Sequence, residues 1–293
     1  MNSDSGPFHT LHKYIDYTCV CRGSPYYTKG EPWKPKDYPI LFAGYFLIWA
    51  SILGYIFVCR ALIDSLYVAN PLTRDVVAGI LGVALIGGIT DGHYELFTYD
   101  FPNAFIFTLA LLGLAKERWW FFFAFIAAVY SKETAILLIV GYALTWRKSS
   151  KVVFWLGLFA LAGVYFAIRL GIARAFPAPP NNPTYWYPTR NASLVLRTSV
   201  YYSWYYVLII LGFIRLVHLR DLLPWRLRRL TSFFVIVLPL AFFKGWFEEL
   251  RQYYELTAIF GLVAVQMLLN DLGMKNLLVA RETIATPRAI AKT

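Results

Sequence analysis

Stretches of apolar residues recur along almost the whole chain and limit its fold more than any other feature. Charges, Pro, Gly or Asn bound each stretch. The stretches lie near 40–59, 76–90, 101–115, 119–131, 134–146, 153–173, 199–217, 231–247 and 254–270. A bilayer-crossing helix needs about 20 apolar residues, and fewer where neighbouring helices surround its ends. The pattern predicts an all-α, polytopic integral membrane bundle of about nine transmembrane or short intramembrane helices. Within it, Gly79, Gly82, Gly87 and Gly88 predict close helix packing.

The composition argues against a soluble protein. Of the 293 residues, 58% are hydrophobic and only 15% are charged, whereas a typical soluble domain has roughly 25% charged residues. So few charges cannot cover a globular surface, which excludes a cytosolic enzyme, a disordered chain and a nucleic-acid-binding module. Membrane lipids are therefore the expected partners, and no nucleic acid is expected despite the net charge of +11.

The basic residues are distributed unevenly among the connecting segments. If all nine stretches cross and the first runs inward, the inner segments hold 16 Lys and Arg against six Asp and Glu, and the outer segments hold 12 against 11. Lys and Arg accumulate in cytoplasmic loops. We therefore expect a multi-pass protein of the bacterial inner membrane, with an outer polar and aromatic segment at 1–39, the transmembrane bundle at 40–272 and a cytoplasmic tail at 273–293.

Lys132 and Glu133 interrupt residues 119–146, which are otherwise one long apolar stretch. A single helix would place both charges near mid-membrane, where each costs roughly 2.5–3.5 kcal/mol. Two short helices with Lys132 and Glu133 at an outer tip avoid that cost. One hypothesis places the two side chains at the floor of an outer cavity, in contact with a phosphate and a sugar. In the alternative they are only the polar tip of a hairpin, with Ser131 capping the next helix.

Three acids, Asp91, Glu95 and Asp100, lie in one predicted outer segment. Asp91 and Glu95 share a face if that segment is helical. Paired carboxylates at a bilayer surface can act as a general base or orient a hydroxyl acceptor. Alternatively, Asp91 and Asp100 cap adjoining helices. His93 stands between Asp91 and Glu95, but nothing else in the sequence supports a metal site, so no metal is predicted.

A second polar segment covers residues 244–255. Arg251 lies three residues after Glu248 and four before Glu255, so one helical face can hold an arginine between two carboxylates. Lys244 and Arg251 are predicted to bind the phosphate of a lipid headgroup. The alternative is an interfacial network of salt bridges within an aromatic belt.

Four segments together resemble the middle of the multi-spanning GT-C type glycosyltransferases and their bacterial relatives. They are Tyr99-Asp-Phe-Pro-Asn103, Leu111-Leu-Gly-Leu-Ala-Lys-Glu-Arg118, Ser131-Lys-Glu-Thr-Ala-Ile-Leu-Leu138 and Glu249-Leu-Arg251-Gln-Tyr253. The resemblance covers roughly residues 90–255. It implies an enzyme that takes a sugar from a polyprenyl-phosphate carrier at the outer face, so that a lipid-linked donor is required and no other cofactor.

The same resemblance implies roles for particular residues. The acid that activates the acceptor is expected among Asp16, Asp91, Glu95 and Asp100. The lipid phosphate is expected to be bound by a group that comprises Lys132, Glu133, Lys244 and Arg251.

The resemblance is incomplete at the start of the chain. Family members have a span followed by the loop with the catalytic acid, whereas here no apolar stretch precedes residue 40. Residues 1–39 are the expected remnant of that loop, which makes Asp16 the nearest matching acid. The alternative expectation is a shortened relative without catalysis, a non-catalytic accessory or scaffold subunit of a larger membrane protein complex.

Overall fold

The computed structural model describes residues 38–90, 100–147, 150–176, 211–212, 214–233, 235–237, 243 and 254–281. Within these residues the chain is mostly helical, as the apolar stretches predict. The helices are α1 (Tyr38–Leu66), α2 (Pro71–Thr90), α3 (Asp100–Lys116), α4 (Phe121–Ser131), α5 (Ile136–Thr145), α6 (Lys151–Ala175), α7 (Trp225–Leu230) and α8 (Thr257–Asp271). Short 3-10 turns cover Glu133–Ala135, Arg220–Leu222 and Lys275–Leu277.

The core of the bundle is built around α3. Twelve of the 17 residues of α3 are buried, and the helix contacts α1, α4 and α5. A helix that is apolar on all sides has no face suited to water, so its neighbours must surround it. The two ends of α3 are polar, with Asp100 at the start and Lys116 in the last turn. This helix therefore separates two polar regions, which are described below.

Small residues allow α1 to pack closely against its neighbours. A Cβ atom at Gly54 would lie 2.8 Å from the ring of Phe105 in α3, and one at Gly82 of α2 would lie 2.7 Å from Ile56. The prediction of close packing is thus confirmed at Gly82. Added Cβ atoms at Gly79 and Gly87 would meet no described atom within 4 Å, so for these two glycines close packing stays a prediction.

Two of the described helices are long and apolar enough to cross a membrane. They comprise Phe42–Leu66 within α1 and Lys151–Ala175, which is α6. Only 11% of the most apolar part of α6 is buried inside the protein. Helices α4 and α5, with 11 and 10 residues, are about 15 Å long at 1.5 Å per residue. The nine crossings and the sides of the two termini stay predictions.

The helical path is interrupted at Lys132, as the sequence predicts. Helix α4 ends at Ser131, Lys132 is extended with φ −157° and ψ 150°, and α5 begins at Ile136. A continuous helix over 119–146 is therefore excluded. The start of α5 has no side-chain cap, and neither does the 3-10 turn before it. The expectation that Ser131 caps the next helix was therefore wrong.

A short pair of strands was not predicted. β1 (Tyr67–Val68) pairs antiparallel with β2 (Val279–Ala280), with Tyr67 opposite Ala280. The guanidinium of Arg281 also donates a hydrogen bond of 2.6 Å to the carbonyl oxygen of Asp64. The beginning of the segment 273–293 is thereby held against the turn between α1 and α2.

Candidate functional site

Three segments that are distant in sequence meet at the start of α3. The first turn of α3 supplies Asn103, the junction of α4 and α5 supplies Lys132 and Thr134, and the residues before α8 supply Tyr254 and Glu255. We call these five residues the Glu255 cluster. Lys132 can enter the cluster because its extended backbone directs the side chain away from the axis of α4.

The centre of the Glu255 cluster is one carboxylate oxygen. Oε1 of Glu255 lies 2.8 Å from Nζ of Lys132, and it accepts hydrogen bonds of 3.0 Å from the amide of Asn103 and 2.7 Å from the hydroxyl of Thr134. The side chain of Glu255 is only 2% exposed and that of Lys132 is 18% exposed. A buried charge is tolerated when it is paired and its hydrogen bonds are satisfied, and this oxygen meets both conditions.

Tyr254 covers the other side of the lysine. Its hydroxyl accepts hydrogen bonds of 2.9 Å from Asn103 and 3.2 Å from Nζ of Lys132, and Nζ lies 4.2 Å from the centre of its ring. Tyr254 therefore contacts the ammonium group through both its hydroxyl and the face of its ring.

Glu133 does not share a partner with Lys132. Its side chain is 65% exposed and lies 3.1 Å from Nη2 of Arg169 in α6. Its backbone carbonyl oxygen accepts a hydrogen bond of 2.9 Å from the hydroxyl of Tyr165, also in α6. Lys132 thus faces the interior of the bundle, whereas Glu133 attaches the edge of the cluster to α6.

The structure describes three of the predicted site residues, and all three lie at this end of α3. Asp100 is 3% exposed and begins α3, three residues before Asn103. Lys132 and Glu133 follow α4, as given above. The other predicted site residues lie outside the described part of the chain. They are Asp16, Asp91, Glu95, Lys244 and Arg251.

Four residues of the Glu255 cluster were not predicted as site residues. Asn103 and Thr134 belong to segments that carry the family resemblance, so the signal for them was present in the sequence. Tyr254 directly follows the Glu249–Tyr253 segment. Glu255 was considered only as a helical neighbour of Arg251, because its pairing with Lys132 spans more than 120 residues and has no local signature.

A second polar region lies at the opposite end of α3. Arg226 lies 2.7 Å from Glu117, the residue after α3, and it also donates a hydrogen bond to the carbonyl oxygen of Ala115. Lys132 and Arg226 are therefore separated by the length of α3, about 25 Å for 17 residues. The side of the membrane that each end of α3 faces stays a prediction.

Comparisons with protein-family models, with curated proteins and with solved structures find no match to this chain.

Proposed function

We propose that the chain is a multi-pass protein of the bacterial inner membrane that acts as a glycosyltransferase at the outer face, with a lipid-phosphate-linked sugar as donor. The observation that carries this proposal is the meeting of three segments in the Glu255 cluster. These segments contain or adjoin three of the four motifs that resemble the GT-C enzymes. Motifs that are distant in sequence but meet at one place are typical of a site rather than of a scaffold alone.

Lys132 is the proposed contact for the donor phosphate. The ammonium group of Lys132 faces a cluster of polar side chains at a helix junction. In such surroundings of low dielectric, its attraction for a phosphate is stronger than in water. In the proposed complex, Glu255, Asn103 and Thr134 are positioning residues that keep Lys132 directed into the bundle. Lys244 and Arg251 remain the predicted additional phosphate ligands.

Asp100 is the proposed base. An acceptor hydroxyl attacks the anomeric carbon of the donor sugar, and a new C–O bond forms as the bond to the lipid phosphate oxygen breaks. The electron pair of that bond leaves with the lipid phosphate, and the acceptor proton moves to the Asp100 carboxylate. Asp16, Asp91 and Glu95 are the other acids in which the same role is predicted.

A non-catalytic membrane subunit is the second candidate function. The observation that favours it is the direct pairing of Lys132 with Glu255 at 2.8 Å. A cation that is already neutralised inside the bundle stabilises the fold without a ligand. On this hypothesis the cluster joins α3, α5 and α8, and the exposed apolar faces contact lipid or other subunits of a complex.

Purification of the full chain in mild detergent, followed by mass spectrometry of the bound material, distinguishes the two functions. A co-purifying polyprenyl-phosphate lipid supports the enzyme, whereas a stoichiometric set of other proteins without such a lipid supports the subunit. We then expect Asp100→Asn, which preserves shape, to reduce sugar transfer at least about 100-fold while the lipid still co-purifies.

Lys132→Ala is expected to reduce co-purification of the lipid. The matched control is Lys116→Ala, which removes an exposed lysine from the opposite end of α3. Circular dichroism of each variant establishes that the purified protein is folded. Unchanged transfer in Asp100→Asn together with unchanged lipid in Lys132→Ala would refute the enzyme.

A further inference from the structure

Three arginines surround one indole ring at the Glu117 end of α3. The guanidinium carbon of Arg147 lies 4.2 Å from the centre of the Trp225 ring, that of Arg226 lies 5.2 Å away, and that of Arg229 lies 5.3 Å away. Any two of these guanidinium carbons are therefore no farther apart than the sum of their distances to the ring, which is close to the Debye length of about 10 Å at 0.1 M salt. We call Trp225 with Arg147, Arg226 and Arg229 the Trp225 cluster.

Among the described residues, carboxylates balance only part of the positive charge of the Trp225 cluster. Arg226 pairs with Glu117 at 2.7 Å, and Arg229 donates a hydrogen bond of 2.7 Å to the carbonyl oxygen of Leu144. Within the described residues, no ion pair with a carboxylate includes Arg147 or Arg229. Lys116 and Arg118 are exposed on either side of Glu117, so the surroundings are also basic.

Capping of helix ends explains part of this arrangement. Ala115 and Leu144 lie in the last turns of α3 and α5, where unsatisfied carbonyl groups favour nearby cations. Arg226 and Arg229 can therefore stabilise the fold without a ligand. Arg147 is exposed and contacts the indole instead, so capping does not account for it.

The chemistry of the cluster fits a phosphate group. A guanidinium presents two parallel N–H groups to phosphate oxygens, and stacking on an aromatic ring fixes the direction of that fork. The nearby Trp119 is 70% exposed, and exposed tryptophan is typical of the membrane–water interface. If the bundle crosses a membrane as its two candidate spans suggest, the sequence pattern predicts that this end of α3 lies at the level of the lipid headgroups.

We propose that the Trp225 cluster binds the phosphate headgroup of an anionic phospholipid through Arg147 and Arg229, with Trp225 as the platform that orients Arg147. The site lies at the opposite end of α3 from the Glu255 cluster and does not depend on any transfer activity. By the predicted sidedness it faces the cytoplasmic leaflet, whose anionic lipids attract basic segments next to membrane helices.

The test uses the full chain, purified in detergent and titrated with phosphatidylglycerol or with phosphatidylcholine, with tryptophan fluorescence during thermal unfolding as the signal. We expect phosphatidylglycerol to raise the unfolding midpoint and phosphatidylcholine to have much less effect. Arg147→Ala should weaken the phosphatidylglycerol affinity about fivefold, and Arg147→Ala with Arg229→Ala about 25-fold, because each basic residue near a membrane surface contributes about 1 kcal/mol.

The matched control is Arg220→Ala. This arginine is exposed and precedes α7, but it lies 3.8 Å from Asp221 and is no part of the cluster. It should leave the affinity unchanged.

Equal affinity of the double variant and the original chain would overturn the proposal, as would an equal loss in Arg220→Ala. Saturation of the site by inorganic phosphate at the same concentration as the lipid would overturn the assignment to a lipid. Arg147→Ala, which loses only an exposed side chain, keeps the test valid if the double variant does not fold.

Discussion

The two ends of α3 hold their charges in different ways. In the Glu255 cluster, a carboxylate that is 2% exposed receives one ammonium group and two neutral donors at a single oxygen. In the Trp225 cluster, guanidinium groups lie at or near the surface and contact a ring, two backbone carbonyls and one carboxylate. In the Glu255 cluster the opposite charges are buried and paired with each other. In the Trp225 cluster the described arginines outnumber the described carboxylates.

This difference has energetic consequences. Removal of one partner from a buried ion pair leaves an uncompensated charge in a medium of low dielectric, which is strongly destabilising. An exposed cation keeps most of its hydration and loses little when its contact is removed. The Glu255 cluster should therefore contribute more to the free energy of unfolding, and the Trp225 cluster should respond more to anionic ligands.

The largest effect is expected at Glu255. Glu255→Gln preserves the shape of the side chain but leaves the ammonium group of Lys132 without its counter-charge, so we expect a loss of about 3–5 kcal/mol in the free energy of unfolding. The measurement is reversible unfolding of the purified protein in mixed micelles with denaturant, followed by tryptophan fluorescence.

Glu133→Gln is the control for Glu255→Gln. It makes the same chemical change in an acid that is 65% exposed and paired with Arg169, and it should cost less than about 1 kcal/mol. Similar losses in the two variants would contradict the inference that burial of the ion pair with Lys132, and not merely the loss of a negative charge at this end of α3, determines the cost.

An intermediate effect is expected at Arg226. Arg226→Ala removes the ion pair with Glu117 and the hydrogen bond to Ala115, and Glu117 is mostly buried. We expect a loss of about 1–3 kcal/mol, the usual result of removing the partner of a buried hydrogen-bonding group.

Arg228→Ala is the control on the same helix. Its partner Asp221 is exposed, and the variant should stay within about 0.5 kcal/mol of the original chain. A loss from Arg228→Ala as large as that from Arg226→Ala would mean that the charge of α7 matters more than its contacts to α3.

Features that depend on local sequence were predicted well. The apolar stretches correspond to helices throughout the described residues, and the interruption at Lys132 follows from the cost of placing two charges in the middle of a helix. Each of these conclusions requires only the order of polar and apolar residues along the chain.

Features that depend on distant contacts were not predicted. Nothing near Glu255 in the sequence indicates that its partner is Lys132, because that pairing arises where the residues before α8 meet the start of α3 and the α4–α5 junction. The glycines illustrate the same limit. Gly79 and Gly82 have the same local sequence pattern, yet among the described residues Gly82 lies close to a neighbouring helix and Gly79 does not. The orientation of a helix about its own axis decides such contacts, and a helix with apolar residues on all sides gives no sequence signal for that orientation.

Apart from the control variants, the smallest effect is expected at Arg147, and it gives the most direct comparison between the two ends. Arg147 over Trp225 and Lys132 over Tyr254 are both cation–ring contacts of 4.2 Å. The first cation is exposed, whereas the second is mostly buried and also paired with Glu255.

In the absence of anionic lipid, Arg147→Ala should therefore lower the free energy of unfolding by only about 0.5–1 kcal/mol. Lys132→Met, which retains an apolar stem, should cost at least about 3 kcal/mol because Glu255 is left unpaired. Equal losses in the same unfolding assay would show that the ring contact, and not burial with the carboxylate, determines the strength of both interactions.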